Sequence, residues 1–105
     1  MELKEELQTI LKRLDHLEKP ETSNELQQDL NLVAEALAVC EKILTYLAFH
    51  KSEQDDMVSY LFQYKQLMGL EKNLSDLRDP IAVSEREAVK VAVRQKAGHW
   101  WHFHE

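Results

Sequence analysis

The chain has 105 residues, of which 44% are hydrophobic and 30% are charged, and its formal net charge is −6. A chain this short forms one small domain with a thin core, which disfavours a large internal ligand cavity. With two Gly, two Pro and the single Cys40, it offers few sheet turns, no internal disulfide and no zinc cluster. No signal-peptide pattern opens the chain and no apolar run approaches the ~20 residues of a membrane span. We therefore expect a single all-α domain, residues 1–105, that is cytoplasmic, lacks a cofactor and has no membrane partner.

The first predicted helix covers residues 2–18. Its apolar residues follow the steps of four and three that mark the a and d positions of a helical heptad. They are Leu3, Leu7, Ile10, Leu14 and Leu17. Pro20 ends the helix, because the residue before a proline is pushed out of the α region.

The second predicted helix covers residues 24–50 and begins at a capping box formed by Thr22 and Glu25. Its heptad seam is Leu26, Leu30, Val33, Leu37, Cys40, Leu44 and Leu47. A second apolar row comprises Leu32, Val39 and Tyr46. A helix that is apolar over most of its circumference needs neighbours on more than one side. We therefore expect a central helix whose second row binds a partner.

The third predicted helix covers residues 53–77 and starts after the acidic capping sequence 52–55. Its seam is Met57, Tyr60, Tyr64, Leu67, Leu70, Leu74 and Leu77. The step from Leu67 to Leu70 is three residues where the heptad pattern requires four, which predicts a kink at Gly69. Pro80 predicts the end of this helix. We expect Tyr60, Phe62 and Tyr64 to fill the core and its rim. In an alternative interpretation, the second and third helices form one continuous rod.

A short fourth helix is predicted over residues 85–97. Ser84 to Glu87 resembles a capping box, Val83 can pack against Ala88, and Gly98 suits the position after the helix. Alternation of valine with other residues from 89 to 93 favours a different structure, a β-hairpin over residues 88–104. With the fourth helix, the fold is an antiparallel helical bundle with coiled-coil-like heptad seams, three long helices and a short C-terminal one.

The tail, residues 99–105, carries two sets of candidate binding residues. Trp100, Trp101 and Phe103 are aromatic side chains of the kind that anchor protein interfaces, although they can also cover the end of a bundle or stack on bases. His99, His102 and His104 have imidazoles that can bind zinc, nickel or copper. We interpret the aromatic set as partner-binding and keep the metal site as an alternative.

Arg94 and His99 are separated by four residues, a spacing that resembles the R-x4–6-H motif of the HEPN ribonucleases. The resemblance covers six residues, and Trp100 and Trp101 depart from the family's usual continuation. It implies a metal-independent ribonuclease in which His99 assists proton transfer and Arg94 steadies phosphate charge.

Charge is unevenly distributed along the chain. Residues 1–77 carry 8 basic and 15 acidic side chains, net −7, whereas residues 78–105 carry 5 and 4, net +1. An acidic body disfavours nucleic acid as a partner and suits a protein with a basic groove. The sequence therefore favours a non-catalytic protein–protein interaction module, a small acidic regulator, inhibitor or assembly factor acting as a homodimer, over the ribonuclease.

Overall fold

The computed structural model describes residues 2–50 and 56–104, with side chains up to Arg94. Its helices are α1 (Glu2–Asp15), α2 (Ser23–Phe49), α3 (Met57–Ser75) and α4 (Arg78–His104). The described residues outside these helices form only connections and helix ends, so the predicted all-α class is confirmed. The alternative β-hairpin over residues 88–104 is wrong, since a two-stranded ribbon is marginal in water whereas this segment extends an existing helix.

α1 ends three residues before the predicted position. After Asp15 the backbone tightens, with the N–H of His16 bonded to the carbonyl of Arg13 at 3.2 Å and that of Leu17 to Leu14 at 3.1 Å. Hydrogen bonds between residues three apart are typical of the frayed last turn of a helix. The connection that follows places Pro20 in a buried position.

The capping box at the start of α2 is confirmed, with one change of partner. The Thr22 hydroxyl accepts the N–H of Glu25 at 3.1 Å, while the Glu25 carboxylate accepts the N–H of Glu21, one residue before the predicted Thr22, at 2.9 Å. α2 ends at Phe49 because His50 leaves the helical region, with φ −124° and ψ 87°.

α2 and α3 are two antiparallel helices, so the continuous rod is wrong. The thiol of Cys40 donates to the carbonyl of Tyr60 at 3.4 Å, whereas Val33, earlier in α2, shares a core cluster with Leu74, later in α3. The predicted cap at residues 52–55 lies outside the described residues.

α2 occupies the centre of the bundle, as its two apolar rows predict, and α1, α3 and the start of α4 all contact it. One core cluster contains Leu7, Ile10, Leu32, Ala36, Val39, Cys40, Ile43, Leu47 and Leu67. A second cluster contains Leu26, Val33, Leu74 and Ile81. The first is closed by α1, and the second by the junction of α3 and α4 together with Leu14 at the end of α1.

The bend in the long C-terminal helix lies at Asp76 and Leu77, so the kink predicted at Gly69 is wrong. α3 runs through Gly69 without a break. The helix resumes at Arg78, which makes Pro80 its third residue. Proline is tolerated there because the first N–H groups of a helix have no partner within it. Pro80, which we predicted to end the third helix, therefore lies in the first turn of α4.

α4 is a long helix, not the short one predicted over residues 85–97. Ser84 and Val83 lie inside it, so they neither cap nor staple its start, and Gly98 lies inside it too instead of following its end. Glu85 has another role, since its carboxylate accepts the N–H and the hydroxyl of Ser23 at the start of α2.

The molecule is elongated, with extents of 81 × 21 × 17 Å and a radius of gyration of 21.3 Å. A compact domain of this length would have a radius of gyration of about 13 Å. The larger radius of gyration comes from α4, which passes the start of α2 at Glu85 and continues without a neighbouring helix in the described part of the chain. We call residues 86–104 the arm.

Candidate interaction surface

The predicted partner-binding row of α2 is covered by the chain itself. Leu32 and Val39 are buried in the first core cluster, and Tyr46 packs at its edge, with its ring stacked on His50 at 3.8 Å between centroids. In the described part of the chain, the uncovered apolar surface therefore lies on residues other than this row.

One uncovered apolar surface is the outer face of α3, opposite the side that packs on α2. Its apolar members are Val58, Leu61, Phe62 and Met68; Lys65 lies among them, and Lys72 follows one turn after Met68. Phe62 is 63% exposed and Val58 is 75% exposed. Helical spacing aligns these positions over three turns, so they form one continuous stripe.

Tyr60 and Tyr64 lie half-buried against the core, as predicted, but Phe62 does not. The signal for the outer face was present in the sequence as a second row, the same feature that identified α2 as central. Gly69 also lies on this face, and a Cβ added there would meet nothing within 4 Å.

The second uncovered surface is the arm. Every described residue from Arg86 to Arg94 is exposed, including Val89, Val91 and Val93. β-branched residues are weak helix formers, and a helix without neighbours is only marginally stable in water. The arm is thus a helix that lacks the packing partner such a segment ordinarily has.

The candidate catalytic pair, Arg94 and His99, lies on the arm. Positions five residues apart in an α-helix are separated by about 140° around the axis and ~7.5 Å along it. The helix therefore turns the two positions towards different sides and does not bring them together within one chain. Arg94 is exposed.

The tail residues continue α4 as far as His104, which carries Trp100, Trp101 and Phe103 along the helix axis instead of folding them back over the bundle. Their side chains, and those of His99, His102 and His104, lie outside the described part of the structure. Among the described residues, no group of three or more His, Cys, Asp or Glu side chains could hold a metal ion.

Among the residues that the structure describes, three titratable groups have pKa values shifted from the usual ones. Burial, and secondarily the charge of Glu41, raises the pKa of the Cys40 thiol. The hydrogen bond to Glu41 raises the pKa of Tyr64. Burial, followed by the neighbouring Glu25, raises the pKa of Asp29. A buried thiol with a raised pKa is a poor nucleophile, so Cys40 is a core residue.

None of the helices in the described part of the chain combines the length and the hydropathy of a bilayer-spanning segment. No protein-family model, no curated protein and no solved structure matches this chain. The two uncovered apolar surfaces are therefore the features on which a function can be argued.

Proposed function

We propose that this protein is a non-catalytic protein–protein interaction module, a small acidic regulator, inhibitor or assembly factor that acts as a homo-oligomer. The outer face of α3 carries the proposal. It is a stripe of exposed apolar side chains on a helix whose opposite side is already occupied by the core. Large contiguous apolar patches on small proteins mark interaction sites.

The charges on this face define the chemistry of the partner. Lys65 lies among the apolar side chains and Lys72 follows them, so the face is locally basic on a chain whose net charge is −6. We expect an amphipathic helix with apolar residues at steps of three and four and acidic residues at its edges. Attraction between these lysines and the acidic edges orients the bound helix, whereas the net charge of −6 slows the approach of an acidic partner and by itself favours a partner with a basic groove.

The strength of binding follows from the area available. Complete burial of a Val, Leu, Phe or Met side chain is worth about 1.5–3 kcal/mol, so four that are half to three-quarters exposed supply roughly 3.5–7 kcal/mol, and the apolar side chains of the partner that face them add a similar amount. Association costs ~4–15 kcal/mol in lost freedom of motion. The face therefore supports a reversible complex, which suits a regulator better than a permanent scaffold.

The test uses two matched substitutions of one kind, Val58→Glu on the outer face and Val83→Glu on α4. A protein captured from the native host is identified and purified, and its affinity for each variant is measured by titration calorimetry. We expect Val58→Glu and Phe62→Glu to weaken binding at least ~30-fold, the effect of losing a hot spot. Val83→Glu should bind as the unaltered protein does.

If the partner binds Val58→Glu and Val83→Glu with equal affinity, the outer face of α3 is not the binding site and the proposal is contradicted. A bound protein without an amphipathic, acidic-edged helix would contradict the partner chemistry.

A further inference from the structure

A polar cleft lies between the α1–α2 connection and the first two turns of α2. Its volume is about 330 Å³, near the lower end of the range of sites that hold small ligands. Its charged and titratable side chains are four carboxylates, a lysine and a histidine: Glu18, Glu21, Glu25, Asp29, Lys19 and His16. With the histidine neutral, this lining has a net charge of −3. We call it the acidic cleft.

Asp29 is the buried member of this set. It is 9% exposed, and no hydrogen bond or ion pair in the described part of the chain engages its carboxylate. Among the described residues, no fully enclosed side-chain oxygen or nitrogen lacks a partner, so the unpaired oxygens of Asp29 open into the acidic cleft. A buried carboxylate without a partner is uncommon, because removal from water disfavours its charge. Asp29 is therefore an acceptor at the floor of the cleft that no described group of its own chain uses.

We propose that the acidic cleft binds the guanidinium group of an arginine side chain of a partner protein. A carboxylate accepts paired hydrogen bonds from this planar group, and the charge-assisted contact offsets the burial of both charges. The inference rests on the protein–protein interaction of the proposed function, but it involves no residue of the outer face of α3.

The arrangement of the carboxylates favours an organic cation over a metal ion. No group of three or more His, Cys, Asp or Glu side chains among the described residues could hold a metal ion. A guanidinium group instead distributes several N–H donors around a plane, so one edge can bond to Asp29 while another faces a second acceptor. Glu25 is such an acceptor, because the N–H of Glu21 occupies only its Oε2, at 2.9 Å.

An apolar wall beside the carboxylates suits the stem of an arginine side chain. Leu17 lines the cleft and is 38% exposed, and Pro20 lines it from a buried position. The methylene groups of arginine pack on apolar surface while the charged end reaches polar partners. An inorganic cation would make no use of this wall.

The unpaired carboxylate also makes the free protein less stable than it could be. Burial raises the pKa of Asp29, and the charge of Glu25 adds to the effect. An adjacent guanidinium group acts in the opposite direction, because an opposite charge favours the ionised carboxylate. Residues that weaken the free protein and are compensated by a ligand are typical of binding sites.

The first experiment is an NMR titration of the full chain with N-acetyl-arginine methylamide and, separately, with the citrulline compound of the same shape. Citrulline carries a neutral urea group in place of the guanidinium group. We expect the arginine probe to displace the Asp29 carboxyl signal and the amide signals of residues 16–29, and the citrulline probe to bind at least ~tenfold more weakly at equal ionic strength. No displacement by the arginine probe, or equal affinity for both probes, overturns the proposal.

The second experiment compares Asp29→Asn with Glu35→Gln. Each variant removes one carboxylate charge from α2, but Glu35 is exposed and does not line the cleft. We expect Asp29→Asn to raise the dissociation constant of the arginine probe at least ~tenfold and Glu35→Gln to change it less than ~twofold. Thermal unfolding verifies that both variants are folded. Equal effects of the two variants would mean that the probe responds only to net charge, which contradicts the site.

Spermidine tests the other source of organic cations, a free polyamine. We expect it to be attracted to the acidic molecule as a whole, so that Asp29→Asn and Glu35→Gln have equal dissociation constants for it. A larger effect of Asp29→Asn on spermidine than on the arginine probe would assign the cleft to a polyamine and overturn the proposal.

The outer face of α3 and the acidic cleft are tested separately. The arginine probe does not involve the outer face, so Val58→Glu should bind it as the unaltered protein does. If the probe does not bind the unaltered protein, the cleft proposal fails, while the effect of Val58→Glu on the captured partner still decides the proposed function.

Discussion

Asp29 is a carboxylate that is buried in the bundle. It is 9% exposed, the lowest value among the charged residues that the structure describes, and it lines the acidic cleft with Pro20 of the α1–α2 connection and with Glu25. Burial disfavours the ionised carboxylate, and the charge of Glu25 adds to the effect, so the pKa of Asp29 is raised. Folding therefore increases the affinity of this carboxylate for a proton.

The pH dependence follows from this direction. Because the folded pKa lies above the unfolded one, the stability linked to the protonated carboxyl is present below the ordinary pKa of 3.8 and is lost as pH rises through the folded value. We expect Asp29→Asn to raise the free energy of unfolding at pH 7 by about 0.5 kcal/mol and to lose this advantage in acid. Urea unfolding at both pH values measures it. Glu35→Gln, an equal charge change at an exposed site on α2, should not reproduce the pattern, and if it does, net charge is the cause.

At the scale of elements, α3 carries apolar residues on two opposite sides, as α2 does, but one of these sides remains exposed. Its inner side contributes Leu67 and Leu74 to the core, and its outer side contributes Phe62 and Met68 to the surface. Gly69 lies within the outer side, in ordinary helical geometry and in open space. No contact within the described part of the chain requires a glycine there.

Gly69→Ala should therefore stabilise the isolated protein. Glycine inside a helix costs roughly 0.5–1 kcal/mol relative to alanine, and the added methyl group meets no neighbour. Thermal and urea unfolding should show an increase of this size. Ala38→Gly, at an exposed position inside α2, should produce a decrease of similar size. A loss of stability in Gly69→Ala would show that another surface approaches this face closely in the isolated protein.

At the scale of the whole molecule, a compact bundle and an extended helix are joined at Glu85. α2 is buried on several sides. The described side chains of the arm are exposed, and the ion pair between Lys90 and Glu87 joins two residues of the same helical turn. Local stability follows burial, so opening of the arm and opening of the bundle should differ widely in free energy.

Amide hydrogen exchange tests this difference most directly. We expect residues 86–94 to exchange with little protection, while residues 33–47 of α2 exchange only through global unfolding. Strong protection of residues 86–94 would mean that another surface covers the arm.

Local patterns in the sequence determined the class, the central position of α2 and the start of α2 at Thr22. Heptad steps and a capping box involve residues three or four apart, which a helix brings together regardless of the rest of the chain. The row of Leu32, Val39 and Tyr46 correctly indicated a helix with neighbours on several sides, although those neighbours belong to the same chain.

Only the tertiary structure decided where the apolar surface remains uncovered. α1 stops at Asp15, α2 starts at Ser23, and α4 continues past both, so the exposed faces depend on relative helix lengths and on the bend at Asp76. Pro80 is compatible with the end of one helix and with the first turn of the next, and its local sequence does not distinguish them. Whether an apolar residue is core or surface depends on what packs beside it, and that is a property of the assembled helices.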